Sequence, residues 1–206
     1  MRIEKAQLVF KDTLQRRTST DFFIVHHADA TNCDIYDIQK WHLERGFIGV
    51  GYNYFIDKNG VVWEGRPEWA SDADARGHNY NSLSVCLEGR FTHEHIQDKQ
   101  KDALVDLMAY VKGKYPNIKF MRHKDVNSTS CPGDIPFLDI LKEVEDKIRQ
   151  NSNKNNANFN EIEELKKELE ETKQHLGQLQ SHFYALDRKV DRILSMVDRK
   201  LAKVVK

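Results

Sequence analysis

The chain has 206 residues, room for one well-cored domain and an appended element rather than two full enzyme domains. Lys+Arg and Asp+Glu both number 32, which removes the bulk positive charge that a nucleic-acid binder works through. With 39% hydrophobic residues, among them ten Phe, seven Tyr and three Trp, wholesale disorder is excluded, and no apolar run reaches the roughly 18–20 residues of a membrane span.

The first twenty residues carry neither an apolar h-region nor a small-residue cleavage site. Three cysteines, Cys33, Cys86 and Cys131, cannot make a disulfide framework. A cytoplasmic protein with no leader and no stable membrane insertion is therefore expected. Phe22–His27 (FFIVHH) reads as a short apolar strand. Asp34 caps a helix whose apolar positions Ile35, Ile38 and Trp41 share a face, ending at Gly46. Strands are expected over Gly51–Asp57 and Val61–Glu64, flanking the turn Lys58-Asn59-Gly60. Ser82–Leu87 is another strand, 97–115 an amphipathic helix stopped by Pro116, Lys119–Arg122 a last strand, and Asp134–Gln150 a closing helix. The pattern predicts an α/β domain over 1–150, with a single central mixed β-sheet flanked by helices.

Composition changes after Gln150. Residues 151–160 (NSNKNNANFN) hold six asparagines and no periodic apolar face, which reads as a linker. From 161 to 206 a seven-residue repeat runs through Ile162, Leu165, Leu169, Thr172, Leu176, Leu179, Phe183 and on to Val197, Lys200 and Val204. Such a seam predicts a C-terminal α-helical coiled coil and hence a homo-oligomer. In a parallel pairing Glu161 meets Lys166, and Glu168 meets Lys173, of the neighbouring chain. The alternative is a single helix folded back on the first domain.

Nine histidines invite a metal hypothesis, and position selects among them. His26 and His27 end the first strand, where alternation lets only one face a given site. His123 follows the last strand, and Cys131 lies eight residues on, in a loop before Pro132-Gly133. Two imidazoles and a thiolate give three ligands and leave a tetrahedral zinc one open position, the pattern of a catalytic site. The competing reading is a buried free cysteine with satisfied histidines. Trp41, Cys33 and Cys86 read as packing residues, and Trp63 and Trp69 as packing or as an aromatic stacking surface.

The segments FFIVHHADAT, IQKWHLERGFIGVGYNYFIDKNGVVWEGRP, GHNYNSLSVCLEGRF and RHKDVNSTSCPGD resemble, in that order, the type-2 N-acetylmuramoyl-L-alanine amidases. That family includes bacteriophage amidase-type lysozymes and animal peptidoglycan recognition proteins. The resemblance implies one Zn2+ per chain held by His26, His123 and Cys131, with His27 turned away from it. It also implies catalytic roles for Tyr52, the family's active-site tyrosine, and for Thr129, whose position holds Lys in phage lysozymes and Thr in many active recognition proteins. Both hydroxyls would donate to the oxyanion. The implied reaction is hydrolysis of the amide between N-acetylmuramic acid and L-alanine in bacterial peptidoglycan. The implied setting is a phage endolysin, cytoplasmic in the host cell until released to the wall. Phage lysozymes carry a histidine before a small-basic-Gly stretch, where SDADARGHN has Asp74. A substrate-proximal imidazole has become a carboxylate there, and neither Asp74 nor His78 receives a role. Two other function classes stand beside the enzyme: a non-catalytic peptidoglycan-binding recognition module, which characteristically lacks the cysteine, and a coiled-coil scaffold.

Overall fold

A computed structural model describes the backbone of residues 1–204 and the side chains of residues 1–199. The side chains of Lys200, Leu201 and Val204, at the end of the predicted seam, and residues 205–206 lie outside the described residues. The chain divides into two compact units, Met1–Gln150 and Asn151–Lys206.

The first unit is built on six strands: β1 (Ile3–Lys5), β2 (Phe22–His27), β3 (Tyr54–Ile56), β4 (Val62–Glu64), β5 (Ser82–Leu87) and β6 (Lys119–Arg122). Their order across the sheet is β1-β4-β3-β5-β2-β6. Among the described residues only the β3–β4 hairpin is antiparallel, so the sheet is mixed. β2 lies between β5 and β6, pairing Phe22 with both Ser82 and Lys119. A strand enclosed in this way must be apolar on both faces, which is why its sequence runs FFIV without alternation.

Each face of the sheet is covered by helix. Phe23 and Val25 of β2, with Leu83, Val85 and Leu87 of β5, pack against α2 (Asp98–Lys114) through Leu104, Leu107, Met108 and Val111. The first residues of α4 (Phe137–Val204), notably Ile140 and Val144, complete that core. On the other face Phe55 and Cys86 meet Ile35 and Ile38 of α1 (Ile35–Glu44). The Asp34 carboxylate caps α1 by accepting the amides of Tyr36 and Asp37 at 2.8 and 2.9 Å.

Several elements differ from expectation. β3 begins three residues later than predicted, because the backbone of 51–53 pairs with a loop instead of a strand. Gly65 and Arg66 donate to the carbonyls of Asn53 and Tyr52, and Ala73 donates to Gly51, all at 2.8–2.9 Å. β1 and the one-turn helix α3 (His123–Val126) were not predicted, being too short to carry a period. The turn between β3 and β4 does need its glycine: Gly60 has φ +82°, and a Cβ there would lie 2.5 Å from the Lys99 carbonyl.

In the second unit, residues 151–160 are helical rather than irregular. Asparagine is a poor helix former but not a breaker, and the segment has no Gly or Pro. The seam side chains from Ile162 to Val197 are 46–68% exposed. No helix among the described residues is long and apolar enough to cross a membrane.

Glu68 ties the loop after β4 to two other elements. Its carboxylate accepts from the hydroxyls of Tyr54 (3.1 Å) and Tyr115 (2.5 Å) and pairs with Lys114 at 2.7 Å. Burial pushes its pKa up, but these donors outweigh burial and hold it below the usual carboxylate range. A depressed carboxylate stabilises above its unfolded pKa, and that contribution is lost as pH falls through the folded value. Glu68→Gln should therefore lower stability by about 1–2 kcal/mol at pH 7 in urea titrations and by less at pH 3.

Candidate metal centre

Strand alternation separates the two histidines that end β2. His27 turns to the α2 face, where its ring packs by Phe91 and its Nδ1 accepts the Phe91 amide at 3.2 Å. His26 turns to the α1 face, with its side chain 1% exposed. α3 begins at His123 immediately after β6, and its ring centroid lies 4.4 Å from that of His26. The chain then returns through a loop whose Cys131 carbonyl accepts the Lys124 amide at 2.8 Å. This brings the Cys131 thiol to 3.8 Å from His26 Nδ1 and to 3.4 Å from the His27 amide.

His26, His123 and Cys131 can each offer one ligand atom, and these atoms all lie within 4.8 Å of one another. Zn–N bonds of 2.0–2.1 Å and a Zn–S bond of 2.3 Å at a tetrahedral angle put nitrogen and sulfur roughly 3.6 Å apart. The 3.8 Å between His26 Nδ1 and Cys131 Sγ fits that requirement. Two nitrogens and one sulfur suit zinc, and with three protein ligands a fourth position stays open.

The cleft over this cluster has a volume of about 460 Å³ and is walled by His42, Phe47, Tyr52, Asp74, Arg76 and His123. Tyr52 precedes β3 and sits 5.1 Å from His26 between ring centroids. Thr129 is exposed in the loop, and its hydroxyl oxygen accepts the Cys131 amide at 3.2 Å. Asp74, assigned no role from the sequence, is here a buried carboxylate 3.4 Å from His26 Nε2. No local pattern in SDADARGHN marks it, because its partner lies on a distant strand. His78 instead lies against Phe22, with ring centroids 5.3 Å apart. Trp41 and Trp63 pack on the α1 face, and Trp69 is exposed beneath Arg16.

Residues 16–134 match the family model described as N-acetylmuramoyl-L-alanine amidase, more than half of the chain and a span holding every residue of this cluster. The chain belongs to the N-acetylmuramoyl-L-alanine amidase family. It is 32% identical to the endolysin of Escherichia phage T7 over 126 residues, 57% of this chain and 83% of that one. Among solved structures, an N-acetylmuramoyl-L-alanine amidase from Clostridium intestinale superposes with a TM-score of 0.68 at 31% identity, covering 70% of this chain and 98% of the other. Peptidoglycan recognition protein LB of Drosophila superposes with a TM-score of 0.59 at 26% identity, over 64% and 88% of the two chains.

Electrostatics sort the groups of this amidase cleft. Burial pushes the Tyr52 phenol well above its ordinary value, and the nearby Cys86 and Asp74 push it further, so it stays a hydrogen-bond donor across the neutral range. Burial, seconded by His26, lowers His123 to about 4, which keeps its lone pair available to a metal. Burial also pulls His26 down, but the Asp74 carboxylate overrides it and raises His26 to about 10.

His42 is the neutral hinge of the cleft wall. Its Nδ1 accepts the Gly51 amide at 2.8 Å, and its ring lies between those of Phe47 and Tyr52 at centroid distances of 5.1 and 5.4 Å. Burial, then repulsion from Arg45, lowers its pKa to about 4. The unfolded chain therefore binds a proton that the folded one refuses, and stability falls as pH drops from 6.5 towards 4. Chemical denaturation at pH 7 and pH 5 should show about 2 kcal/mol less acid destabilisation in His42→Gln than in the parent.

Proposed function

We propose that this chain is a zinc-dependent peptidoglycan hydrolase that cleaves the amide between N-acetylmuramic acid and L-alanine, acting as a phage endolysin. The observation that carries the reading is the convergence of His26, His123 and Cys131 beside Tyr52 in one cleft of an amidase-family domain. One Zn2+ bound there supplies Lewis-acid polarisation of the scissile carbonyl and makes water nucleophilic at neutral pH.

The chain's own residues do the rest. His26, His123 and the Cys131 thiolate hold the ion and leave one side of it open to the cleft. Cys131 Sγ also accepts the His27 amide at 3.4 Å, a contact that orients the sulfur beside His26. Tyr52, kept protonated by burial, donates to the carbonyl oxygen as negative charge develops on it. The Thr129 hydroxyl oxygen accepts the Cys131 amide, which leaves its own proton free to serve as a second donor. The walls around Phe47 and Tyr52 exclude bulk water from one side of the reacting amide, which strengthens both hydrogen bonds.

The tail serves assembly. A seam of Ile, Leu, Phe and Val about half exposed along one helix is matched by a second copy of the same seam, and burying each such side chain contributes about 1.5–3 kcal/mol. Parallel alignment pairs Glu161 with Lys166 and Glu168 with Lys173 across the interface. Joined heads raise the effective concentration of active sites at an insoluble polymer. The protein is made in the host cytoplasm and meets its substrate when released to the wall.

A digest of purified peptidoglycan should release new L-alanine amino termini without new reducing ends, stop with a chelator and resume with zinc. Cys131→Ser should bring that release to background while circular dichroism stays native; turnover like the parent would refute the metal assignment. Light scattering should find the full chain oligomeric and a chain ending at about Asn151 monomeric, with hydrolysis retained in the truncated form.

A further inference from the structure

We propose that Asp74 is the positioning residue of the metal site, orienting His26 and balancing the charge of the ion that His26 holds. The proposal rests on the zinc reading above. His26 Nε2 and Asp74 Oδ1 face each other at 3.4 Å, both buried, and neither atom has a hydrogen-bond partner among the described residues. The opposite nitrogen, Nδ1, is the one turned to the Cys131 thiol. Which nitrogen of an imidazole binds a metal is set by the hydrogen bond that the other one makes. A proton on Nε2, pointed at Asp74, leaves the Nδ1 lone pair directed into the ligand cluster.

The carboxylate is held for this task from three sides. Its second oxygen, Oδ2, accepts from the Ser84 hydroxyl on β5. The Asn79 side-chain oxygen accepts the amides of Asp74 and Ala75 at 3.1 and 3.0 Å, fixing the backbone beneath it. The neighbouring Ala73 amide is bonded to the Gly51 carbonyl at 2.9 Å, beside Tyr52. A carboxylate with 1% exposure and one oxygen lacking a donor is costly unless a positive charge answers it. With zinc bound, its two positive charges would be met by one negative charge on Cys131 and one on Asp74, and His26, its Nδ1 given to the ion, would be neutral like His123. Without Asp74 the buried site would carry a net positive charge.

Asp74 acts through His26 and lies outside the set of mutually close ligand atoms, so its expected effect is that of an outer partner, about 10–100-fold in metal affinity. The test is the zinc dissociation constant of the metal-stripped full chain, measured by competition with a chromophoric chelator, alongside the thermal midpoint of the stripped protein. Asp74→Asn keeps the shape and removes the charge, and should weaken zinc about 10-fold; Asp74→Ala removes both and should approach 100-fold. Ser84→Ala, which frees the carboxylate but keeps it, should give a smaller loss in the same direction. A parent that takes no zinc overturns the metal reading and this proposal together. A parent that binds zinc, with both Asp74 variants within twofold of it and only the midpoint lowered, overturns this proposal alone. A loss beyond about 1,000-fold exceeds any outer partner and would make Asp74 a ligand, overturning it the other way.

Discussion

Because successive side chains of a strand point to opposite faces, the seating of β2 between β5 and β6 decides which of two adjacent histidines reaches the metal cleft. In the observed register His26 opposes Cys86 and shares the α1 face with Tyr52, while His27 opposes Leu87 and joins the α2 core. A slip of one residue would exchange them and would also drive Phe23 and Val25 out of the larger core. The chemistry therefore inherits its precision from ordinary packing. Every apolar contact that holds the strand in register also holds His26 in place.

The other half of the site depends on a backbone seam between residues 51–53 and 65–73. A Cβ at Gly65 would lie 2.4 Å from the Tyr52 carbonyl, and one at Gly51 would lie 2.7 Å from the Ala73 carbonyl, so the two segments touch as bare backbone. Arg66, almost fully buried, fastens the same seam by donating to the carbonyls of Val50 at 2.7 Å and Ser71 at 2.9 Å. Tyr52 and Asp74 sit on opposite sides of this seam. Their separation is thus governed by main-chain hydrogen bonds rather than by flexible side chains.

Much of the first unit was legible because its signals are local. An unbroken FFIV marks an enclosed strand, Asp34 marks a helix start, and Asn-Gly marks the hairpin. That His26, His123 and Cys131 come together was legible because each sits at or just beyond an element end, and the family resemblance joined them. Asp74 was not. Its meaning comes from a nitrogen 48 positions earlier in the chain, and nothing in SDADARGHN points to it. The shortening of β3 was hidden for the same reason: YNYFID has strand character throughout, and only the loop from Gly65 onward claims its first residues. In the second unit, composition separated 151–160 from its surroundings, yet asparagine content alone could not distinguish an irregular segment from a helical one.

Cys131 follows His26 by 105 residues, so the cluster closes more than two thirds of the length of the first unit, Met1–Gln150. Its two later members are close in sequence, with the Lys124 amide bonded to the Cys131 carbonyl, and they reach His26 because they follow β6, which pairs with β2. The set of three side chains is complete only once synthesis has passed Cys131. An ion bound as proposed would offset part of the entropy of closing so long a loop. The strand pairing that completes the sheet is thus also what brings the two ends of the site together.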